Sequence, residues 1–144
     1  MKQKPVIRIM TSEDYEKVYA LWKRSAGMGI RPIDDAEPGI RRFLVRNTRT
    51  CFVADHEGIL VGAILSGHDG RRAYIYHTAV EEAYRGQGLG TALVSAVEQA
   101  LRNEGITKIA LVAFKHNQGG NRFWEKQGFS VRDDLVYRNK QITS

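Results

Sequence analysis

The chain has 144 residues, 42% of them apolar and 26% charged, enough for the core of one domain and unlike a collagen-like, disulfide-scaffold or largely disordered chain. Basic residues outnumber acidic ones by 22 to 16, giving +6, a diffuse excess without a long block of like charge that suits an anionic small molecule, a nucleic acid or simply a solvated basic surface. One cysteine excludes an internal disulfide, four scattered histidines make no zinc pattern, and no apolar run is long enough to span a bilayer, so a cytoplasmic protein with no metal and no membrane partner is expected.

The opening MKQKPVIRIM is basic without the apolar stretch of a secretory signal. Val6, Ile7 and Ile9 read as a first strand. Thr11-Ser12-Glu13-Asp14 offers a helix N-cap with acids in the first turn. Tyr15, Val18, Tyr19, Leu21 and Trp22 follow at helical spacing, and the helix is expected to stop near Ala26-Gly27. Met28 to Pro38 reads as a loop holding Asp34, Asp35 and Glu37. Ile40, Phe43 and Leu44 suggest a shorter helix, with Arg41, Arg42, Arg46 and Arg49 outside it or nearby.

Cys51 to Ala54 and Ile59 to Leu65 read as strands about a turn at His56-Glu57-Gly58, and Asp69-Gly70 as a hairpin leading into Ala73 to Val80. Strict alternation in that last strand puts Tyr74, Tyr76, Thr78 and Val80 on one face and Ile75, His77 and Ala79 on the other. Leu89, Leu93, Val97 and Leu101 recur every four residues, the stripe of a long helix. Ile109 to Phe114 is apolar on both faces and reads as a buried central strand. Asn121 to Gln127 reads as a short helix. Phe129 to Arg132 and Leu135 to Arg138 read as a final hairpin around Asp133-Asp134. The order is β-α-α-β-β-β-α-β-α-β-β, an α/β chain with one mixed sheet.

The chemistry concentrates in Val80 to Thr91, VEEAYRGQGLGT. A strand ends, glycines follow at 86, 88 and 90, and an amphipathic helix begins. The first-turn amides of a helix lack internal partners and lie at the positive end of its dipole, so such a junction binds phosphate; Arg85 adds a fixed charge. No lysine follows the last glycine, which argues against a Walker loop, and G-x-G-x-G is not the dinucleotide fingerprint. A pyrophosphate cradle of another kind and a glycine-rich turn that only caps a helix both remain.

Arg85-Gly86-Gln87-Gly88-Leu89-Gly90 resembles the R/Q-x-x-G-x-G/A loop of the GNAT superfamily of acyl-CoA-dependent N-acetyltransferases. Tyr76-His77-Thr78-Ala79-Val80 stands where that family has the strand before the loop, and Asn117 followed by Arg122 to Phe129 is similar to its N…FY-x-x-x-GF segment. The resemblance implies one acyl-CoA N-acyltransferase domain over residues 1–144, with a mostly antiparallel, twisted sheet of about six to seven strands and helices on both faces. It implies acetyl-CoA as co-substrate and direct transfer to an amine of a small molecule or peptide in a ternary complex. In that family's terms Arg85, Gly86, Gln87, Gly88, Gly90 and Thr91 would hold the pyrophosphate. The main chain of Thr78, Ala79 and Val80 would run along the pantetheine arm, at a splay between this strand and the next. The Thr78 amide would polarise the thioester carbonyl. Asn117 would bind pantetheine or cap its helix. Trp124 stands where many relatives have a tyrosine that protonates the leaving thiolate. Indole does not titrate usefully, so the residue is read as a wall beside the sulfur.

Tyr76 is the candidate proton relay or positioning group. His77 reads as a packed or hydrogen-bonded histidine on the opposite face rather than a base, Asp34, Asp35 and Glu37 as a solvated acidic loop in preference to a cationic-substrate site, Asp69 as a turn residue, and Cys51 as no nucleophile. The family often dimerises, and nothing in the sequence fixes the oligomeric state. A non-catalytic acetyl-CoA sensor and a nucleic-acid binder using the four arginines are the other classes open at this point.

Overall fold

A computed structural model describes residues 3–25 and 28–143. Five strands form one sheet in the order β1-β2-β3-β4-β5: β1 Val6–Ile9, β2 Phe52–His56, β3 Ile59–His68, β4 Ala73–Val80 and β5 Ile109–Leu111. The first four pair antiparallel and β5 lies parallel to β4. Helices α1 (Tyr15–Arg24), α2 (Pro32–Asp35) and α3 (Glu37–Arg46) come between β1 and β2, α4 (Leu89–Asn103) between β4 and β5, and α5 (Gln118–Lys126) follows β5. The expected end of α1 at Ala26-Gly27 lies outside the described residues. No helix among the described residues is long and apolar enough to cross a membrane.

Two cores sandwich the sheet. Val18, Leu21 and Trp22 of α1 and Ile40 and Leu44 of α3 cover one face. Leu89, Leu93, Val94, Val97 and Leu101, the stripe of α4, cover the other. Each such fully buried side chain contributes about 1.5–3 kcal/mol of transfer free energy. Arg8 closes the seam at the start of α1 with a two-pronged grip on the buried Asp14 carboxylate, at 2.9 and 2.8 Å. That contact, with the Thr11 amide, holds the Asp14 carboxyl below the usual carboxylate range.

Three sequence expectations fail. The sheet has five strands rather than six or seven: residues 129–143 make the turn at Asp133-Asp134 but no strand. The Arg132 guanidinium grips Asp134 at 2.9 Å, so the turn is closed by its own side chains with no ladder beside it. The Ile109 to Phe114 run is not a buried central strand either. It pairs only as far as Leu111, and Val112 and Phe114 are 54% and 52% exposed. Finally, the Met28 to Pro38 segment is not all loop. Pro32 opens α2 with a fixed φ suited to a helix start, and the Asp35 carboxylate turns back to accept the Arg31 amide at 2.7 Å.

Candidate active site

The site is organised by an irregularity in β4. Along β3 the pairing steps from Ile64 to Ser66, while along β4 it steps from Thr78 to Ile75. Tyr76 and His77 therefore both oppose Leu65, the two-against-one count of a β-bulge. The bulge overturns the alternation read from sequence. Tyr76 and His77 lie on the α1–α3 face: Tyr76 packs edge-on against Phe43 at 5.4 Å and His77 against Trp22 at 4.7 Å. Thr78, paired with Ile64, goes to the α4 face, and Ala79 belongs to the α1–α3 core. Tyr76 and Thr78 do not share a face.

Beyond the bulge the sheet opens. β5 pairs with β4 only from Ala73 to Ile75, so Tyr76 to Val80 run on without it. Antiparallel ladders alternate residues whose main-chain groups point into the neighbour with residues whose groups point away. Glu81 donates its amide to the Val61 carbonyl at 2.8 Å. Val80, and Thr78 two residues before it, therefore turn their N–H and C=O groups away from β3, toward the gap. A cavity of about 280 Å³ lies at this end of β4, lined by Leu21, Arg24, Val80, Glu81 and Arg85 among others.

The gap leads to the glycine loop. Gly88 is the N-cap of α4 at φ 84°, a left-handed conformation that favours glycine. The first amide of α4 to find an intrahelical acceptor is that of Ala92, on Gly88 O at 3.0 Å. The Leu89, Gly90 and Thr91 amides precede that first bond, and no acidic residue stands in the first turn. Arg85 donates from Nε to the Val80 carbonyl at 3.1 Å, which leaves its Nη donors for an anion. Gly90 serves packing: a Cβ there would meet the Phe123 ring at 2.9 Å. The Thr91 hydroxyl accepts from Gln127 at 2.9 Å, tying the end of α5 to the start of α4. Gln87 is exposed.

On the other side of the bulge is a larger cavity of about 680 Å³, whose lining includes Arg31, Asp35, Arg42, Phe43, Tyr76 and His77. Asp35, expected in a solvated loop, is only 6% exposed. Its Oδ2 accepts from His77 Nε2 at 2.9 Å as well as from the Arg31 amide, and Tyr15 donates its hydroxyl to the Asp35 carbonyl at 2.8 Å. A carboxylate only accepts, so His77 Nε2 donates to it, and the ring's other nitrogen, Nδ1, takes no part in this contact. Asp34 and Glu37 are spent on Arg31 and Arg41, at 3.0 and 2.6 Å. Tyr76 is 51% exposed. Burial of its ring, with Tyr137 and Asp34 nearby, pushes its hydroxyl above the usual tyrosine value, so near neutral pH it donates hydrogen bonds and does not act as a base.

The remaining expected residues fall as follows. Asn117 caps α5, its Oδ1 accepting from the Gly120 amide at 3.0 Å. Trp124 packs edge-on with Phe123 and Phe129, at 4.9 and 5.3 Å, against the α4-side core. Asp69 is a turn residue whose Oδ1 accepts the Arg71 and Arg72 amides at 2.8 Å. Cys51 is buried, and burial pushes its thiol up to about 12. No group of three or more His, Cys, Asp or Glu suited to a metal ion occurs among the described residues. The sequence reading missed the His77–Asp35 pair, because the bulge that brings His77 round and the fold that brings Asp35 to it over 42 residues have no local signature.

Compared with known proteins, residues 13–129 match the Acetyltransferase (GNAT) family. The chain is 34% identical to an acetyltransferase of Pectobacterium atrosepticum, over 94% of this chain and 95% of that one. It is 33% identical to one of Sodalis glossinidius, over 94% of each. Among solved structures it resembles the PaiA N-acetyltransferase of Thermoplasma acidophilum in complex with coenzyme A. The TM-score is 0.81 and the identity 20%, over 91% of this chain and 92% of that one.

Proposed function

The chain belongs to the GNAT acetyltransferase family and is an N-acetyltransferase, and from that premise we propose that it passes an acetyl group from acetyl-CoA directly to a primary amine of a small molecule or peptide, the two substrates meeting across the bulge of β4. The observation that carries this reading is the opened strand: outward main-chain groups at Thr78 and Val80 run from the bulge toward the free first-turn amides of α4. Those residues fit the cofactor's chemistry. The pyrophosphate meets amide donors with no acid beside them and the Nη groups of Arg85, and the amide-rich pantetheine arm meets a strand edge that β5 leaves uncovered, with only the Val80 carbonyl taken, by Arg85.

The amine lies in the larger cavity, beside Tyr76 and His77. Its nitrogen attacks the thioester carbonyl, whose oxygen the Thr78 amide stabilises as charge develops. The N–C bond forms, the C–S bond breaks, and His77 Nδ1 takes the proton that the ammonium sheds, directly or through a water. Asp35 holds the ring in the tautomer this needs and balances the imidazolium. Tyr76 positions the amine. The thiolate is a fair leaving group and takes its proton from solvent, which relieves Trp124 of any acid role.

The test is a thermal-shift titration with acetyl-CoA followed by a CoA-release assay over a panel of amines. Acetyl-CoA should raise Tm by mass action. Gly88→Glu should abolish the shift, because a carboxylate enters the anion site and a side chain is forced into a left-handed cap. A wild-type shift in that variant, or no CoA release with any amine, would refute the reading.

A further inference from the structure

The four arginines of α3 and its exit look alike in the sequence, and the structure separates them. Arg41 is tied to Glu37 one turn earlier, at 2.6 Å. Arg42 and Arg46, also one turn apart, line the large cavity instead. The carboxylates that share that cavity are engaged: Asp34 with Arg31 at 3.0 Å, Asp35 with His77 at 2.9 Å. Among the described residues neither Arg42 nor Arg46 has a carboxylate within ion-pair distance. The cavity therefore has a proton-accepting end at His77 and two open guanidiniums on α3, with the edge-on pair of Phe43 and Tyr76 also in its wall.

Side chains at i and i+4 on a helix stand about 5–6 Å apart at Cβ, so both forks can close on one carboxylate or phosphate. A simple amine or diamine meets these two charges as a like charge. An amine that also bears an anion meets each end of the cavity with the opposite sign. The volume, about 680 Å³, is that of a pocket for a small metabolite. Building on the acetyl-transfer reading above, we infer that the acceptor is an amine carrying an anionic group, a carboxylate or a phosphate, held by Arg42 and Arg46 while its nitrogen lies at His77. This takes Arg42 and Arg46 out of any nucleic-acid patch.

The experiment uses acetyl-CoA with pairs of amines that differ by one anion: lysine against cadaverine, ornithine against putrescine, and O-phosphoethanolamine against ethanolamine. The readout is the kcat/KM ratio within each pair. In the wild-type protein at least one pair should favour the anionic member by about tenfold or more, the range of a charge-assisted hydrogen bond, and the pair that does so tells carboxylate from phosphate. The double variant Arg42→Gln with Arg46→Gln should cut that ratio by about tenfold or more through KM, with its acetyl-CoA thermal shift retained as proof of folding. Arg41→Gln should leave the ratio as it was. Wild-type ratios at or below one in all three pairs, or a ratio indifferent to the double variant, would overturn the inference while acetyl transfer stands. No CoA release from any amine overturns the transfer reading, and this inference with it.

Discussion

Replacing Asp35 by asparagine separates charge from contact in the pair that orients His77. A single carboxylate oxygen, Oδ2, accepts from both the Arg31 amide and His77 Nε2, at 2.7 and 2.9 Å. An amide oxygen in the same place keeps both bonds and removes only the negative charge. A hydrogen bond to a charged group contributes roughly 1.5–3 kcal/mol and a neutral one roughly 0.5–1.5. The difference, about 1–1.5 kcal/mol, falls on the step in which His77 becomes an imidazolium, so kcat/KM should drop about tenfold. Asp35→Ala is a different perturbation. It strands the Arg31 amide and the His77 N–H at a position only 6% exposed. At roughly 1–3 kcal/mol for each unsatisfied group, stability should fall by about 2–6 kcal/mol. Steady-state CoA release from pH 6 to 9 and urea unfolding of the same preparations would read both effects. The asparagine variant should unfold closer to the wild-type midpoint than the alanine variant and turn over about tenfold more slowly than wild type. Wild-type turnover with an unchanged pH profile in that variant would make the pair architectural and send the search for the base elsewhere.

Gly39→Ala should cost about 1–3 kcal/mol, because a Cβ there collides with the Asp34 main chain, whose carbonyl carbon would be 2.8 Å away. It should raise the KM of the amine and leave the acetyl-CoA thermal shift alone, since the strain lies between α2 and α3. Cys51, buried and with its thiol pushed up to about 12, should resist thiol reagents at pH 8 in the native protein and react at once in denaturant. Asp14 has a folded-state pKa below its unfolded value, so its contribution is present at neutral pH and is lost as pH falls through the folded value. Asp14→Asn should therefore flatten the acid limb of a stability-versus-pH curve. Trp124→Phe should keep most of kcat and lose about 1 kcal/mol of edge-on aromatic contact in urea unfolding.

What could be read in the sequence was local. The α4 stripe needs only its four-residue recurrence, and the glycine loop announces itself because Gly86 and Gly88 sit at φ 77° and 84° where other residues strain. Asn117, which the sequence leaves between binding pantetheine and capping its helix, caps α5. The faces of β4 were not legible, since a period of two assumes an unbroken ladder and one extra residue at Tyr76-His77 reverses it. Asp35 looked solvated because it stands among Pro32, Asp34 and Glu37. Its burial comes from Tyr15 and His77, 20 and 42 residues away. The C-terminal hairpin failed on the opposite ground: its turn at Asp133-Asp134 forms, but a strand also needs an edge to join, and β5 is three residues long.

The extra residue in β4 puts two halves of one strand out of phase, and the register recovers at once with Ile64 opposite Thr78 and Ala63 opposite Ala79. Phase, not identity, is what the second half depends on. On the acetyl-transfer reading Tyr76 can therefore be exchanged for other side chains, retuning which amine is accepted, without disturbing the edge that Thr78 and Val80 present, whereas His77 is held to its identity by its bond to Asp35. Removing either residue outright is another matter: a one-residue deletion would restore plain alternation and leave room for only one of the two side chains opposite Leu65. The strand tolerates rewriting at this point and does not tolerate shortening, so variation in acceptor preference is open to substitution and closed to deletion.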